Sequence, residues 1–326
     1  MVRRFKPQST RLMDQVREVL RYNHYSFSTE KSYVAWLLKY IRFHDRRHPQ
    51  DMGRDEIKRF LSHLVMNRNV SASTQNQALN AILFLYHQVL GMKIEGKISA
   101  RRSHKPKRLP TVLTRDEVRQ VLGHVQGVSA LMLKLMYGSG LRVTETLKLR
   151  VHDIDLDRLL IYVRNSKGDK DRTTVLPKVL VPEIREHLTR VKKIYEKDKS
   201  ENKADVYVPP AVSNKYRNAG KSWGWQYFFP SHQRSTDPRC GKERRHHVHK
   251  TTIIKAIQKA RNSTGLAKTI TPHVFRHSFA THLLEDGVNI RTVQTLLGHK
   301  DVKVTEVYTH VMDKNISDVR SPLEIL

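Results

Sequence analysis

Apolar residues recur at helical spacing through the first hundred positions of the chain. Leu12, Val16 and Leu20 fall on one face of a first helix, and Tyr33, Trp36, Leu37, Tyr40 and Ile41 on one face of a second, with Ser28 and Thr29 supplying its N-cap chemistry. A third helix is predicted from about Asp55 to Met66, with Ile57, Phe60, Leu61 and Leu64 inward, and a fourth from about Ser73 to Leu90, closed by Gly91. Four helices over residues 1–96 make one small bundle. The periodicity then stops. Across 97–110, Lys97, Arg101, Arg102, Lys105, Lys107 and Arg108 crowd around Pro106, which reads as a basic linker. Such a run is either a solvated face or, with a domain on each side, a strap along phosphates.

From 111 to 326 the texture is mixed. Helices are predicted at 115–123, capped by Thr114, and at 129–137, 141–148, 182–196, 249–262, 272–285 and 289–297. Leu156 to Val163 and Thr173 to Leu176 read as strands joined by the polar turn Asn165 to Lys170. The fold class is therefore mostly α with an α+β second part: a four-helix domain, then a mixed helical domain with a small antiparallel sheet. Between about 213 and 250 lies a stretch rich in cations and aromatic residues but with little regular pattern.

Charge narrows the partner. Lys and Arg number 60 against 31 Asp and Glu, a net charge of +29, which is a large self-repulsion unless a polyanion offsets it. Nucleic acid leads as partner, with a ribosomal or anionic-membrane association left open by charge alone. No run of about 18 apolar residues is available for a membrane span, and no apolar stretch of signal-peptide length follows the basic Met1 to Pro7. The single cysteine, Cys240, excludes an internal disulfide framework and suits a reducing compartment, so cytoplasm is the expected location.

Three elements carry chemistry. Gly138-Ser139-Gly140 breaks an apolar helix and places Arg142 in the first turn of the next one, where unpaired N–H groups and a planar fork of donors suit phosphate; pairing with Glu145 three residues on is the plain alternative. Thr271 and Pro272 open a helix on which His273 and Arg276 share a side. His273 and His277, four apart, also have the spacing of a metal pair, without a third ligand nearby. Gly298 ends a further helix before His299, and Tyr308 stands nine residues later.

Taken together, Gly140-Leu141-Arg142, His273-x-x-Arg276-His277, Leu297-Gly298-His299 and Tyr308 resemble the tyrosine recombinase (phage-integrase) family along the whole chain. The resemblance implies a catalytic set of Arg142, His273, Arg276, His299 and Tyr308. It adds a hairpin lysine, matched by Lys167 in Ser166-Lys167-Gly168-Asp169-Lys170-Asp171-Arg172, with Lys170 as the alternative. The 213–250 stretch looks like the extra insertion of integron integrases. That match implies base contacts from Trp225, Pro238, His246 and His247, DNA binding by Arg239 and phosphate contacts from Arg244 and Arg245, while Tyr227, Phe228 and Phe229 add faces for unstacked bases.

The activity so implied is site-specific DNA recombination. Tyr308 forms a 3′-phosphotyrosyl link, with His273 as its base and Lys167 protonating the leaving 5′-oxygen. Arg142 and Arg276 clamp the phosphate and His299 adds a neutral donor. ATP, metal and cofactor are not needed, and a homotetramer acts on duplex sites and folded single-stranded hairpins of a bacterial nucleoid. Competing readings are a phage-type or chromosome-dimer recombinase acting on duplex only, a type IB topoisomerase, and an architectural DNA binder. Two metal readings also stand: zinc at Cys240, His246, His247 and His249, and a nuclease using Asp153, Asp155 and Asp157.

Overall fold

The structure, a computed structural model, describes residues 5–96, 98, 100, 110–164, 171–299, 301, 305 and 308. The chain divides into two compact units, Met1–Arg108 and Leu109–Leu326.

The first unit is helical. Helices α1 (Leu12–Tyr22), α2 (Phe27–Phe43), α3 (Arg54–Met66) and α4 (Ala72–Phe84) enclose a core that includes Val16, Leu20, Leu37, Tyr40, Ile57, Leu61 and Ile82. The α2 cap differs from the expectation: Ser26, two residues earlier, accepts the Thr29 N–H and so satisfies the orphan donor that Ser28 was assigned to. The predicted fourth helix changes character at Leu85, where a π-helical turn runs to Leu90 before Gly91 ends it with φ 75°. Within that turn the buried Tyr86 hydroxyl meets Tyr40 at 3.1 Å and donates to the Met52 carbonyl at 3.2 Å. The apolar pattern alone does not distinguish the wider turn.

In the second unit, α5 (Arg115–Gly123) opens with a reciprocal cap between Thr114 and Glu117. Then follow α6 (Gly127–Ser139) and α7 (Val143–Lys148). The strand expected from Leu156 begins only at Leu160, and a further short strand precedes it. Strand β1 (Ile154–Asp155) and β2 (Leu160–Val163) flank a tight turn in which Asp155 accepts the Arg158 N–H and Leu159 takes φ 56°. With β3 (Arg172–Val175) they form an antiparallel sheet in the order β1-β2-β3.

Helix α8 (Val181–Ser200) leads to a short α9 (Pro210–Lys215) and to a hairpin of β4 (Pro230–Thr236) and β5 (Glu243–His247) that the sequence pattern did not announce. Both of its faces are polar, so no alternation marks it. Helices α10 (Lys250–Thr264), α11 (Pro272–Glu285) and α12 (Ile290–Leu297) complete the unit. Helix α6 packs closely on α11: a Cβ at Gly140, φ 64°, would stand 2.5 Å from the Phe279 ring, so only glycine lets the chain turn there. No helix is long and apolar enough to cross a membrane among the described residues.

Candidate active site

Arg276 is the hub of the second unit. Projecting from α11, it is 3% exposed and donates to the Gly140 carbonyl at 2.6 Å and to the Leu297 carbonyl at 2.6 Å, with His299 Nε2 3.1 Å from the same guanidinium. The α6 terminus, the α12 terminus and His299 are thereby tied to one cation. A guanidinium only donates, so His299 Nε2 must offer its lone pair, and Nδ1 carries the proton that Thr305 Oγ1 accepts at 2.9 Å. In this arrangement His299 holds Arg276 in place. The sequence expectation gave it a donor's role toward phosphate, which its Nε2 cannot fill while it accepts from Arg276.

Arg142 stands at the N-cap of α7, one position before the helix proper. It donates to Glu145 Oε1 at 2.7 Å, and its backbone N–H donates to Oε2 at 2.8 Å. The ion-pair reading of Arg142 is thus observed. Arg172 at the start of β3 forks onto the same carboxylate at 2.9 and 2.8 Å and donates through Nε to the Leu296 carbonyl. Arg276 approaches Glu145 at 3.8 Å. Burial pushes the Glu145 carboxyl upward, but the hydrogen bonds and charge of Arg172, and then Arg142, outweigh it and hold the group at about 2. Burial and then the repulsion of Arg142 draw Arg276 down to about 9, still charged at neutral pH. Three guanidinium groups around one carboxylate leave an uncompensated positive centre, which an entering anion stabilises.

Tyr308 is 4% exposed, and its ring lies against that of His299 with centroids 6.2 Å apart and planes 23° apart. Its hydroxyl meets His277 Nδ1 at 2.9 Å. Burial raises the phenol above its ordinary pKa, and Arg276 and Arg142 pull it back toward the phenolate. His277 is lowered to about 4 and His299 to about 4, in both cases by burial first and then by neighbouring positive groups. His273 stands one helical turn before His277, ring centroids 6.3 Å apart; its side chain reaches solvent, yet the protein around its ring strips enough water to lower it, and Arg276, Lys250 and Arg142 lower it further. The expectation that His273 serves Tyr308 therefore meets a geometry in which the next histidine makes the contact. Lys167 and Lys170 lie outside the described residues.

The insertion is differently built. Tyr227, Phe228 and Phe229, expected as faces for bases, are 5%, 0% and 0% exposed, with Phe228 against His187 and Phe229. Their apolar surface belongs to the core, which corrects that expectation. Trp225 is half-buried with its ring edge against His152, and its carbonyl accepts from the buried Arg150.

Arg245 spans Asp198 and the Ser231 and His232 carbonyls, and Arg244 pairs with Asp205 at 3.1 Å. Both guanidiniums are thus committed inside the protein, against the expected phosphate role. Pro238 and Arg239 are exposed in the β4–β5 turn, and His246 and His247 are half-buried on β5. Among the described residues no three His, Cys, Asp or Glu side chains gather as a metal site requires. Asp153 is bound instead by Arg164 and the Arg150 N–H, and Asp155 by its turn. Glu145, Arg172, His277 and Thr305 were not assigned to the site from the sequence, although the i, i+3 spacing of Arg142 and Glu145, the motif holding His277 and the turn ending in Arg172 pointed toward three of them.

The sequence profile of the Phage integrase family matches residues 111–315, and that of the phage integrase N-terminal SAM-like domain matches residues 12–95. A protein of Escherichia coli named integrase/recombinase is 47% identical over 319 residues, spanning 98% of this chain and 95% of the relative. Tyrosine recombinase XerA of Thermococcus kodakarensis is 30% identical over 303 residues, spanning 91% and 90%. Among solved structures, XerH site-specific recombinase bound to difH substrate, a pre-cleavage complex, has the same fold at a TM-score of 0.56 and 18% identity, covering 95% of this chain and 84% of that one. The chain therefore belongs to the phage integrase family and is a tyrosine site-specific recombinase, an enzyme that breaks and rejoins DNA strands.

Proposed function

We propose that Tyr308 attacks a scissile DNA phosphate, forming a 3′-phosphotyrosyl link and freeing a 5′-hydroxyl. One observation carries this reading: the Tyr308 ring stacks on His299, whose Nε2 accepts from Arg276, and the charges of Arg276 and Arg142 act on the Tyr308 phenol. Negative charge grows on the non-bridging oxygens during attack, and in this reading Arg142 and Arg276 bind it through N–H donors. His273, on the open side of α11, completes the set, and Lys167 protonates the departing 5′-oxygen. Because the ester bond is conserved in the phosphotyrosine, a 5′-hydroxyl of another strand reverses the attack without ATP. The arginines supply the positive charge a metal provides elsewhere. Exchange between two duplexes takes four such sites, hence a homotetramer on DNA.

The finer reading is an integron integrase that moves gene cassettes through folded single-stranded hairpins as well as duplex sites. Its support is the β4–β5 hairpin, which exposes Pro238 and Arg239 at its turn and carries His246 and His247 on β5, His247 with its ring against that of Tyr227. Each stacked base contributes about 1–3 kcal/mol. A duplex-only recombinase is the second reading, favoured by the burial of Tyr227, Phe228 and Phe229. Replacing His246 and His247 by Ala separates them: weaker binding to a bulged hairpin than to a duplex supports the first, and equal loss supports the second.

The activity itself is tested on labelled duplexes recovered from a randomised pool by their SDS-stable adducts. Tyr308→Phe abolishes the adduct and keeps DNA affinity within about a few-fold, since only the nucleophilic oxygen is lost. Adduct formed by the Phe variant, or adduct formation by the unaltered protein that stops with chelator, overturns this mechanism.

A further inference from the structure

The sequence places two histidines, His273 and His277, four residues apart on α11, and the mechanism above uses the first. We infer that His277 is the group that accepts the Tyr308 proton as the phenol oxygen attacks phosphorus. The inference rests on the reading of Tyr308 as nucleophile and goes one step past it.

Contact is the first argument. His277 Nδ1 is 2.9 Å from the Tyr308 oxygen, inside the reach a proton transfer requires, and the two rings are 5.4 Å apart. His273 is exposed, and its ring centre is 6.3 Å from that of His277. Availability is the second. A base needs a free lone pair, and His277 is neutral above about pH 4. With the proton of the ring on Nε2, Nδ1 points its lone pair at the phenol O–H. His299 cannot substitute, because its Nδ1 proton is engaged by Thr305 and its Nε2 lone pair by Arg276.

The step balances. The Tyr308 O–H bond breaks as the Nδ1–H bond of His277 forms; the phosphorus–phenol bond forms as the bond to the 5′-oxygen breaks; and Lys167 gives that oxygen its proton. During rejoining, the 5′-hydroxyl returns its proton to the now neutral Lys167 as its oxygen attacks phosphorus, the bond from phosphorus to the phenol oxygen breaks, and that oxygen recovers the proton from His277.

The surroundings of His277 also make this base dependent on substrate. On its own helix it faces His273 and Arg276; across from it stand Tyr308 and His299, with Arg142 acting on both of these. With no anion present, a protonated His277 is disfavoured by burial and by this positive neighbourhood, so Tyr308 keeps its proton. A phosphodiester on Arg142 and Arg276 cancels part of that repulsion and strengthens the base when there is something to attack.

The test is the single-turnover rate of adduct formation against pH on the recovered duplex, for His277→Ala, His277→Gln and His273→Ala. Both His277 variants are expected to lose about 10²- to 10⁴-fold at neutral pH. What remains rises about tenfold per pH unit as hydroxide replaces the base, and added imidazole restores part of the His277→Ala rate. A 5′-phosphorothiolate substrate, whose sulfur leaves without a proton, does not rescue them, because the defect is at the attacking end. Glutamine can hold the phenol by a hydrogen bond but cannot take its proton, so a wild-type rate in His277→Gln overturns the inference even if the Ala variant is unstable. An unchanged pH profile, or imidazole rescue of His273→Ala alone, overturns it too. Adduct formation by Tyr308→Phe would fail the underlying reading separately.

Discussion

Two arginine clusters in the second unit have opposite charge balances. Arg142, Arg172 and Arg276 converge on the carboxylate of Glu145 and, among the described residues, pair with no other acidic side chain. Arg234, Arg244 and Arg245 of the insertion are shared among Asp198, Glu201, Asp205, Asp237 and Glu243. The first centre is left positive, and its arginines are oriented by backbone carbonyls and His299. The second is neutralised and fastens the hairpin to α8 through the 3% exposed side chain of Asp198. Arginine content therefore says little about where DNA is held; the ratio of carboxylates to guanidiniums at each site says more.

Breaking the first cluster should have the largest effect. Arg142→Ala is expected to slow adduct formation about 10²- to 10³-fold, since a donor to the developing charge is lost. Thermal unfolding should barely shift, because Glu145 keeps Arg172. The salt dependence of DNA binding should fall by about one counterion. An adduct rate within a few-fold of the parent would remove Arg142 from the phosphate clamp.

Breaking the second cluster should give the reverse. Arg245→Ala leaves a buried carboxylate short of a partner, at a cost of about 2–4 kcal/mol, so the melting temperature should drop by roughly 5–15 °C. The salt slope of DNA binding should not change. If it fell while the melting temperature held, Arg245 would be a phosphate contact and the contrast between the clusters would be lost.

The smallest effect is a pH dependence of stability. His277 and His299 sit at about 4 in the folded chain against an ordinary 6.5, so between these values the unfolded chain binds protons that the folded one refuses. Their contribution to stability is complete above about pH 6.5 and is lost as pH falls toward about 4. Glu145 adds a later loss as pH falls from about 4.5 to about 2. Denaturant titrations across this range should show His277→Gln with a shallower acid limb than the parent; identical limbs would mean that His277 is not held neutral by the fold.

Most helices, the short α9 excepted, were legible because their apolar residues recur at helical spacing and local caps, such as Thr114 with Glu117, need no distant partner. The β4–β5 hairpin was not, since it is held by charge pairs to α8 instead of by an apolar face. Trp225, Tyr227, Phe228 and Phe229 looked alike in sequence, but only packing distinguishes an aromatic ring in the core from one at the surface.

For the site, the sequence by itself determined the cast: Arg142, His273, Arg276, His299 and Tyr308 in recognisable order, with a net charge of +29 that calls for a polyanion. The tertiary structure alone decided their connections. Glu145 gathers three arginines from α7, β3 and α11, and His299 turns its lone pair to Arg276. His277 meets the phenol across 31 residues of chain. The reason is physical: spacing on one helix reports which residues share a face, whereas a hydrogen bond between elements depends on how those faces are packed together.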